Sequence, residues 1–434
     1  MAKMRFSTMT TRLRRSEIRE LLKLTRTPGT ISFGGGLPDP VVFPREAVEA
    51  ASKRAIRERG DLALQYSPTE GEPFLKEQLA AYMQRHDEIA RPEDMLVVSS
   101  SQQALDLLGR IFIDPGDPVL IERPTYVGSI QAWRALDADF QGVDMDDDGI
   151  IPEKLDAKIR ELVDGGRPPK FIYVIPDFQN PSGINLSLER RHEVLAIASR
   201  YDLPIIEDSP YRELRFSGEL IPSMYSLDTE RRVILMKTLS KIYTPGFRLG
   251  WIVAPPDVLD KLIMVKQGAD LCTSAYVSII TGYLFEDGAI ERQVERCRDL
   301  YARKADVMLA AMEREMPKIP GLWWSKPTGG MFLWLRMPNH MDTMEMIHDA
   351  INLKVAYVVG TAFYTDGSGR NEMRLNYSYP TEEQIELGVE RLGKLIRMRV
   401  RGEKRAGKTP ADDTDEEECA ACADTGDRTS EQDR

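Results

Sequence analysis

Short apolar runs alternate with amphipathic stretches between about residue 95 and residue 254. The runs are MLVV, DPVLIER, PKFIYVI, YDLPIIED, RVILMKT and RLGWIVA, and most end in a polar or Gly/Pro joint. Stretches with helical spacing, such as SLERRHEVLAIASRY, separate several of them. Continuous apolar strands that alternate with helices are typical of a mainly parallel sheet covered by helices on both faces. This part of the chain is therefore predicted to have an α/β fold.

A different pattern follows this region. DGAIERQVERCRDLYARKADVMLAAMERE has apolar residues at three-to-four-residue spacing and predicts one long helix. The apolar runs GGMFLWLRMP, VAYVVGTAF and EMRLNYS then mix with two more helical stretches, which predicts a smaller α+β domain. The predicted division is an N-terminal arm with part of the small domain (1–50), a large domain (51–288), a small C-terminal domain (289–400) and a disordered acidic tail (401–434).

Composition narrows the class of protein. A chain of 434 residues is too long for one compact core and suits two domains. Its net charge of -11 argues against a nucleic-acid partner, which would require a basic surface. No apolar run approaches the roughly 18 residues of a membrane span, and the basic N-terminus lacks the apolar segment of a secretory signal. We therefore expect a cytoplasmic protein that binds neither membrane nor nucleic acid.

The four cysteines are too few for a disulfide framework in a chain of this length. Cys272 and Cys297 are interpreted as ordinary buried thiols. Cys419 and Cys422 form a lone CxxC in the acidic tail, and a zinc site would need about two more ligands. No metal is expected.

Three polar joints carry candidate chemistry, because ligands of parallel α/β sheets bind at the carboxyl ends of strands. Ser100, Ser101 and Gln102 stand where a strand becomes a helix, and the free N–H groups there suit a phosphate. Serine is equally a default N-cap residue. Asp208 ends a buried strand and could hold a protonated pyridine nitrogen, although a salt bridge or a helix cap is the alternative.

The third joint, ILMKTLSKIYTPGFRLGW, is the most informative. Lys241 follows a strand at a turn, and Arg248 lies seven residues further on. A nucleophilic lysine must be partly desolvated, because an ordinary pKa near 10.4 leaves too little neutral amine. Asn180 lies in a loop constrained by Pro176 and Pro181.

These residues resemble the fold-type-I, class I/II aminotransferases that use pyridoxal 5'-phosphate, and the closest branch contains the 2-aminoadipate and kynurenine aminotransferases. The resemblance runs from about Arg14 to Arg397. The matching stretches are SEIRELLKLTRTPGTISFGGGLPDP, QYSPTEGEPFLKEQLA, SSSQQALDLLGRIFIDPGDPVLIERPTYVG, PDFQNPSG, EDSPYRELRF, LSKIYTPGFRLGW, GGMFLW and MRLNYS. It implies a large domain with a mainly parallel seven-stranded sheet, a smaller α+β domain and a homodimer with active sites at the interface.

The resemblance also implies a role for each matching residue. Lys241 would be the Schiff-base lysine and proton shuttle, and Asp208 would pair with the pyridinium nitrogen. Asn180 and Tyr211 would bond the phenolic oxygen of the cofactor, and Tyr126 would stack on its ring. The implied phosphate contacts are Ser101, Gln102, Thr238 and Arg248, with Tyr66 reaching in from the other subunit.

On the substrate side, the resemblance implies that Arg374, beside Asn180, clamps the α-carboxylate and that Gly36 lines the pocket. Arg19 would reach a distal carboxylate from a mobile helix, although it could equally be a solvated residue on a helix surface. The chain departs from the family pattern at Ser100 and Thr238, where glycine and serine are frequent. Threonine keeps the hydroxyl, so phosphate binding is still expected.

The resulting expectation is transamination of an L-amino acid (2-aminoadipate, glutamate, branched-chain or aromatic) with 2-oxoglutarate as acceptor. One alternative is another reaction on the same cofactor, such as that of a β-lyase, a decarboxylase or a cyclopropane-forming synthase. A second is a transcription regulator with an aminotransferase-like domain. The net negative charge and a family match that starts near residue 14 oppose the regulator.

Overall fold

The largest element of the protein, seen here in a computed structural model that describes residues 4–13 and 28–402, is an eight-stranded sheet. The strands, numbered by chain order and given in sheet order, are β2 (Met95–Val98), β9 (Gly250–Val253), β8 (Val233–Thr238), β7 (Ile205–Asp208), β6 (Ile172–Val174), β3 (Pro118–Arg123), β4 (Asp139–Asp146) and β5 (Gly149–Ile150). β3 pairs in parallel with β4 and β6, as do β6 with β7 and β7 with β8, which confirms the mainly parallel sheet.

The seven strands of the predicted sheet are present, and a short eighth strand extends it at one edge. The eighth strand, β5, is only two residues long and pairs antiparallel with the end of β4 at the sheet edge. A strand of two residues is too short to show an alternating pattern, so the sequence does not reveal it. The other reversed strand, β9, is antiparallel to both β2 and β8. Because β9 is reversed, β2 and β8 run in the same direction and end at the same edge.

Both faces of this sheet are covered, which explains why its strands are apolar throughout. Alternate residues of one strand enter different cores: on β3, Ile121 packs into one cluster and Leu120 into another. The helices of this region are α2 (Arg45–Ala63), α3 (Pro73–Gln84), α4 (Ser100–Phe112), α5 (Val127–Arg134), α6 (Pro152–Asp164), α7 (Leu188–Arg200), α8 (Met224–Leu227), α9 (Pro256–Ala269) and α10 (Ala275–Glu286). The sequence does not single out α3, α9 and α10 as helices.

A second, antiparallel sheet follows the predicted long helix. Its strands in order are β10 (Trp323–Trp324), β11 (Phe332–Arg336), β14 (Glu372–Asn376) and β13 (Val358–Val359). Near the N-terminus, β1 (Ile31–Ser32) pairs in parallel with β12 (Val355–Ala356). The remaining helices are α1 (Met9–Arg12), α11 (Ala289–Glu315), α12 (Thr343–Asn352) and α13 (Glu382–Val400). The helices and antiparallel strands of this region agree with the predicted α+β domain. The domain boundaries stay a prediction.

Several expectations fall on residues that the structure does not describe. The helix that would carry Arg19 and the tail with Cys419 and Cys422 lie outside the described residues. Of the other two cysteines, Cys297 is buried as predicted and Cys272 is only partly buried. Among residues 4–13 and 28–402, no helix has the length and apolar character needed to cross a membrane.

Candidate active site

The amine of Lys241 lies three residues beyond the end of β8 and faces the N-terminal segment. Its Nζ donates a hydrogen bond of 2.7 Å to the carbonyl oxygen of Gly36. Removal of the ammonium from water, together with the positive charges of Arg374 and Arg248, lowers the pKa of Lys241 to about 8, against the opposing charge of Asp208. An amine with that pKa has a usable neutral fraction near neutral pH.

Asp208 closes β7 and is almost completely buried. The hydroxyl of Tyr173 donates to its Oδ2 at 2.8 Å. Burial raises the pKa of Asp208 to about 6, while the Tyr173 hydrogen bond and the charge of Lys241 oppose the rise. The other carboxylate oxygen, Oδ1, is buried and has no hydrogen-bond partner among the described residues. Asp208 therefore has one oxygen fixed and one available to a donor that these residues do not supply.

Hydroxyl groups gather at the N-terminus of α4. Ser100 Oγ lies 3.1 Å from Ser240 Oγ and 3.4 Å from Thr238 Oγ1, and Thr238 also donates to the carbonyl of Leu249 at 3.1 Å. The hydroxyl of Ser101 is buried and lacks a hydrogen-bond partner within the described part of the chain. A helix N-terminus with unpaired N–H groups and nearby hydroxyls is suited to an anion such as phosphate.

The backbone around this cluster is tightly packed. Ser100 adopts a φ of 72°, in the left-handed region that favours glycine. A Cβ atom at Gly250 would lie 2.7 Å from the carbonyl oxygen of Lys237 and 3.2 Å from Ser100 Cα. The side chain of Gln102 donates to the carbonyl of Gly128 at 3.1 Å, and Arg248 is exposed.

Arg374, on β14, is a buried cation at the opposite side of the pocket. Its Nη1 donates to Asn180 Oδ1 at 2.8 Å and its Nη2 to the carbonyl of Gly34 at 2.9 Å. The guanidinium lies 4.3 Å and 5.0 Å from the ring centroids of Phe332 and Phe363. Burial lowers the pKa of Arg374 to about 10, so it remains charged at neutral pH, and its Nε lacks a hydrogen-bond partner in the described chain.

Asn180 connects this arginine to Tyr211. Because its Oδ1 accepts from Arg374, its Nδ2 is directed to the Tyr211 hydroxyl, at 3.1 Å. The oxygen of Tyr211 thus accepts a bond, and its own hydrogen can be donated elsewhere. Tyr126 precedes α5, and its ring occupies the space beside Gly128, where a Cβ atom would lie 2.3 Å from it.

Contacts between side chains link several of the predicted site residues. Phe332 lies 5.8 Å from the ring of Tyr211 and packs on Arg374, and a Cβ on Gly36 would lie 3.2 Å from it. Tyr66 is 77% exposed, and Gln102 and Arg248 are also exposed, so these three predicted residues are not enclosed within their own chain. Sequence reasoning missed Tyr173, Ser240, Phe332 and Phe363. A polar residue inside an apolar strand, such as Tyr173, is the only signal that could have indicated one of them.

Comparison with known proteins identifies the family of this chain. The family model for aminotransferase class I and II matches residues 39–392. The chain is 41% identical to aromatic-amino-acid aminotransferase 1 of Thermococcus litoralis over 397 residues, which cover 91% of this chain and 95% of the relative.

Two solved structures agree with this match. The kynurenine aminotransferase of Pyrococcus horikoshii, solved in complex with PMP, superposes with a TM-score of 0.88 at 40% identity, covering 91% of this chain and 97% of that one. The α-aminoadipate aminotransferase LysN of Thermus thermophilus, complexed with N-(5'-phosphopyridoxyl)-L-leucine, gives a TM-score of 0.83 at 39% identity, with coverage of 91% and 98%.

The residues present fit pyridoxal phosphate. Asp208 Oδ1, which has no partner among the residues described, suits a protonated ring nitrogen, and the hydroxyl of Ser101 at the α4 N-terminus, likewise without a partner there, suits a phosphate. The amine of Lys241, with its lowered pKa, suits attachment of an aldehyde. Fold, pocket and relatives agree, and the chain belongs to the class I and II aminotransferases, as an enzyme that uses pyridoxal 5'-phosphate as its cofactor.

Proposed function

We propose that this chain transfers the amino group of an L-amino acid to 2-oxoglutarate, with Lys241 as the catalytic base and Arg374 as the carboxylate clamp. One observation carries the proposal: a weakly basic amine, a free buried carboxylate oxygen on Asp208 and a buried guanidinium converge on one pocket. Each group supplies a function that transamination requires. The amine moves a proton, the carboxylate stabilises a cationic ring nitrogen, and the guanidinium binds the substrate.

Binding of the substrate is assigned to Arg374. Its charge persists at neutral pH, and the aromatic rings of Phe332 and Phe363 exclude water from its faces. Charge-assisted hydrogen bonds to a carboxylate are strong in such a setting. Asn180 and the carbonyl of Gly34 hold the guanidinium in a fixed orientation. The carboxylate it binds would therefore lie at a defined place relative to Lys241.

Proton transfer is assigned to Lys241. When bound, pyridoxal phosphate supplies a ring that withdraws electrons from the Cα of the amino acid. Lys241 would remove the Cα proton and deliver it to the C4′ carbon of the cofactor, and its pKa of about 8 suits both directions of that transfer. Asp208 would keep the ring nitrogen protonated, while Tyr211 and Asn180 would donate to the phenolic oxygen and Tyr126 would cover the ring face.

The phosphate contacts proposed are Ser101, Gln102, Thr238 and Arg248. We add Tyr66 of a second subunit, because Tyr66 is 77% exposed and Leu64 nearby in the chain is exposed as well, and an apolar surface of this kind is a candidate for contact with another chain.

The expected assembly is a homodimer with shared active sites. Dilution to nanomolar concentration should therefore lower activity as the dimer dissociates. A monomer with full activity, seen by sedimentation at the same concentration, would contradict the dimer.

The donor is proposed to be 2-aminoadipate, glutamate, a branched-chain or an aromatic amino acid. Relatives named for aromatic amino acids, kynurenine and α-aminoadipate support this range. The test is a survey of half-reactions. Each amino acid is added alone to the holoenzyme, and loss of the visible cofactor absorbance is followed. If the reaction is transamination, the visible absorbance should be lost without any added 2-oxo acid and should recover when 2-oxoglutarate is added. Release of ammonia or carbon dioxide instead would favour a lyase or a decarboxylase.

Arg19, which lies outside the described residues, is proposed to recognise a distal carboxylate of the donor. Its removal should cost about 10–150-fold in specificity for the dicarboxylate, the equivalent of a lost charge-assisted contact of roughly 1.5–3 kcal/mol. Leucine should be almost unaffected, since it has no distal carboxylate. The measurement is the ratio of kcat/KM for 2-aminoadipate and leucine in wild type and Arg19→Ala. An unchanged ratio would remove Arg19 from the site.

A further inference from the structure

A buried carboxyl group lies directly behind the pocket and has no part in the roles proposed above. Glu122 is the next-to-last residue of β3 and is 1% exposed. Its Oε2 accepts hydrogen bonds from the backbone N–H of Ile175, at 3.2 Å, and from the side-chain amide of Gln179, at 3.1 Å. Burial raises the pKa of Glu122 to about 8, so the group is mainly neutral at pH 7.

Gln179 extends this contact to two loops. The Nε2 that donates to Glu122 also donates to the carbonyl oxygen of Pro124 at 2.8 Å, which an amide with two hydrogens can do at once. Its Oε1 accepts from both the backbone N–H and the hydroxyl of Ser182, at 2.9 and 2.7 Å. All four partners of this side chain are thus fixed in a buried network, where hydrogen bonds reinforce one another.

The two loops joined in this way carry residues assigned to the site. Pro124 is two residues before Tyr126, and Gln179 is adjacent to Asn180, which in turn bonds Arg374. We propose that Glu122, acting through Gln179, is a positioning residue that holds Tyr126 and Asn180 in register for the cofactor and Arg374 for the substrate carboxylate. The inference rests on the proposed roles of Tyr126, Asn180 and Arg374.

The same sheet offers a matched control. Glu207, on β7, is also fully buried and also accepts two N–H bonds, from the backbones of Met224 at 3.3 Å and Tyr225 at 2.8 Å. Burial raises its pKa to about 7. Its donors belong to α8, which contributes no residue to the proposed site. Removing either carboxyl leaves two buried donors unpaired. The donor Gln179 of Glu122 is adjacent to Asn180. Glu207 precedes Asp208 on β7, but successive side chains of a strand point to opposite faces, and the donors of Glu207 lie in α8.

The experiment compares the holoenzymes of Glu122→Leu, Glu122→Gln and Glu207→Leu at 25 °C. The Kd of the cofactor is measured by equilibrium dialysis. KM and kcat are measured in steady-state assays with the best amino-acid donor, and Tm is measured by thermal unfolding. Loss of the Glu122 bonds should raise the cofactor Kd and the KM each about tenfold, the effect of unpairing buried donors. Glu122→Gln keeps the accepting oxygen and should stay within about threefold of wild type on both. Glu207→Leu should lower Tm as Glu122→Leu does and leave Kd and KM unchanged.

Three results would overturn the proposal: wild-type Kd and KM in Glu122→Leu, a Glu122→Gln as defective as Glu122→Leu, or an equal rise of Kd in Glu207→Leu. If Glu122→Leu does not fold, Gln179→Met breaks the same connection and should raise Kd and KM alike; normal values there would also overturn the proposal. Failure of the site assignment itself would appear separately, as cofactor absorbance and turnover that survive in Lys241→Ala.

Discussion

Two lysines four residues apart show how differently this sheet treats the same side chain. Lys237, within β8, is 2% exposed, and its ammonium lies 2.6 Å from Glu88 and 2.7 Å from Glu213. Lys241, just past the strand, is less buried and bonds only the neutral carbonyl of Gly36 among the described residues. Burial opposes the charge of Lys237, but the charges of Glu213 and Glu88 outweigh it and raise its pKa. The pKa of Lys241 falls to about 8.

The more deeply buried lysine therefore has the raised pKa. Burial lowers the pKa of both lysines, and the neighbouring charges reverse that effect at Lys237 and add to it at Lys241. Lys237 faces carboxylates and is suited to holding structure, whereas Lys241 faces Arg374 and Arg248 and is suited to giving up a proton. The difference in role between the two lysines can be tested by substituting each lysine, by substituting a neighbouring residue or by changing the pH.

The largest expected effect follows from Lys241→Ala. Turnover should fall more than about 10⁴-fold, because general acid–base catalysis alone contributes roughly 10²–10⁴ and the nucleophile is lost as well. The visible absorbance of the bound cofactor should disappear. Steady-state rates and a spectrum of the purified protein are sufficient. Near-normal turnover with the absorbance intact would show that another lysine is the reactive one.

Asp208→Asn should keep the fold and lower kcat by about 10³-fold, or ~4 kcal/mol of barrier. Asparagine cannot hold the ring nitrogen protonated, so the electron-withdrawing power of the ring is lost. The circular dichroism spectrum should not change, and Tyr173 can still donate to the amide oxygen. A rate within about threefold of wild type, ~0.7 kcal/mol, would be incompatible with the assigned role.

Lys237→Met should act on stability instead. Removing the ammonium takes away the cation that lies 2.6 Å from Glu88 and 2.7 Å from Glu213, and leaves Arg212 as the nearby buried cation, 3.9 Å from Glu88. Breaking a buried ion pair in this way lowers the free energy of unfolding by ~3 kcal/mol. Urea unfolding measures the loss. The kcat of the folded fraction should stay within a few-fold of wild type. A stable variant with lost turnover would reverse the comparison between the two lysines.

The smallest effect is a pH dependence. Since the neutral amine is the reactive form, the rate at which apoenzyme acquires cofactor absorbance should rise about tenfold per pH unit below pH 8 and level off above it. Stopped-flow absorbance from pH 6 to pH 10 records the profile. Lys237→Met should show the same midpoint. A midpoint near 10.4 would mean that the pocket leaves Lys241 unperturbed.

The same contrast explains what the sequence reveals. Asp208 and Lys241 follow apolar runs, so the end of each run identifies them as candidates, and the parallel topology predicts that they meet. Lys237, Glu122 and Tyr173 lie inside such runs, where the pattern predicts burial but not the partner. The partner of Tyr173 depends on sheet register, and those of Lys237 and Glu122 lie on segments outside the strands, which local periodicity does not encode.

The position of Arg374 is predicted only through family resemblance. Nothing in EMRLNYS indicates that its arginine points at a carbonyl near the N-terminus. Likewise, β5 is too short for any periodic signal, and α10 is apolar on all sides, so its pattern fits a strand equally well. The sequence therefore predicts most of the elements and identifies strand-end residues as candidates, and predicts contacts between distant segments poorly.

The contact of Arg374 with Gly34 spans 340 positions of the chain. At synthesis rates of roughly 5–20 residues per second, about 20–70 s separate the appearance of these two residues at the ribosome. The strands that end at Asp208 and Thr238 are complete long before the arginine exists. If Arg374 binds the substrate carboxylate as proposed, a nascent chain can complete its central sheet before it can bind that carboxylate. Under this proposal, catalytic competence arrives with β14, the last strand in the described part of the chain, and a chain that stops short of it would be inactive.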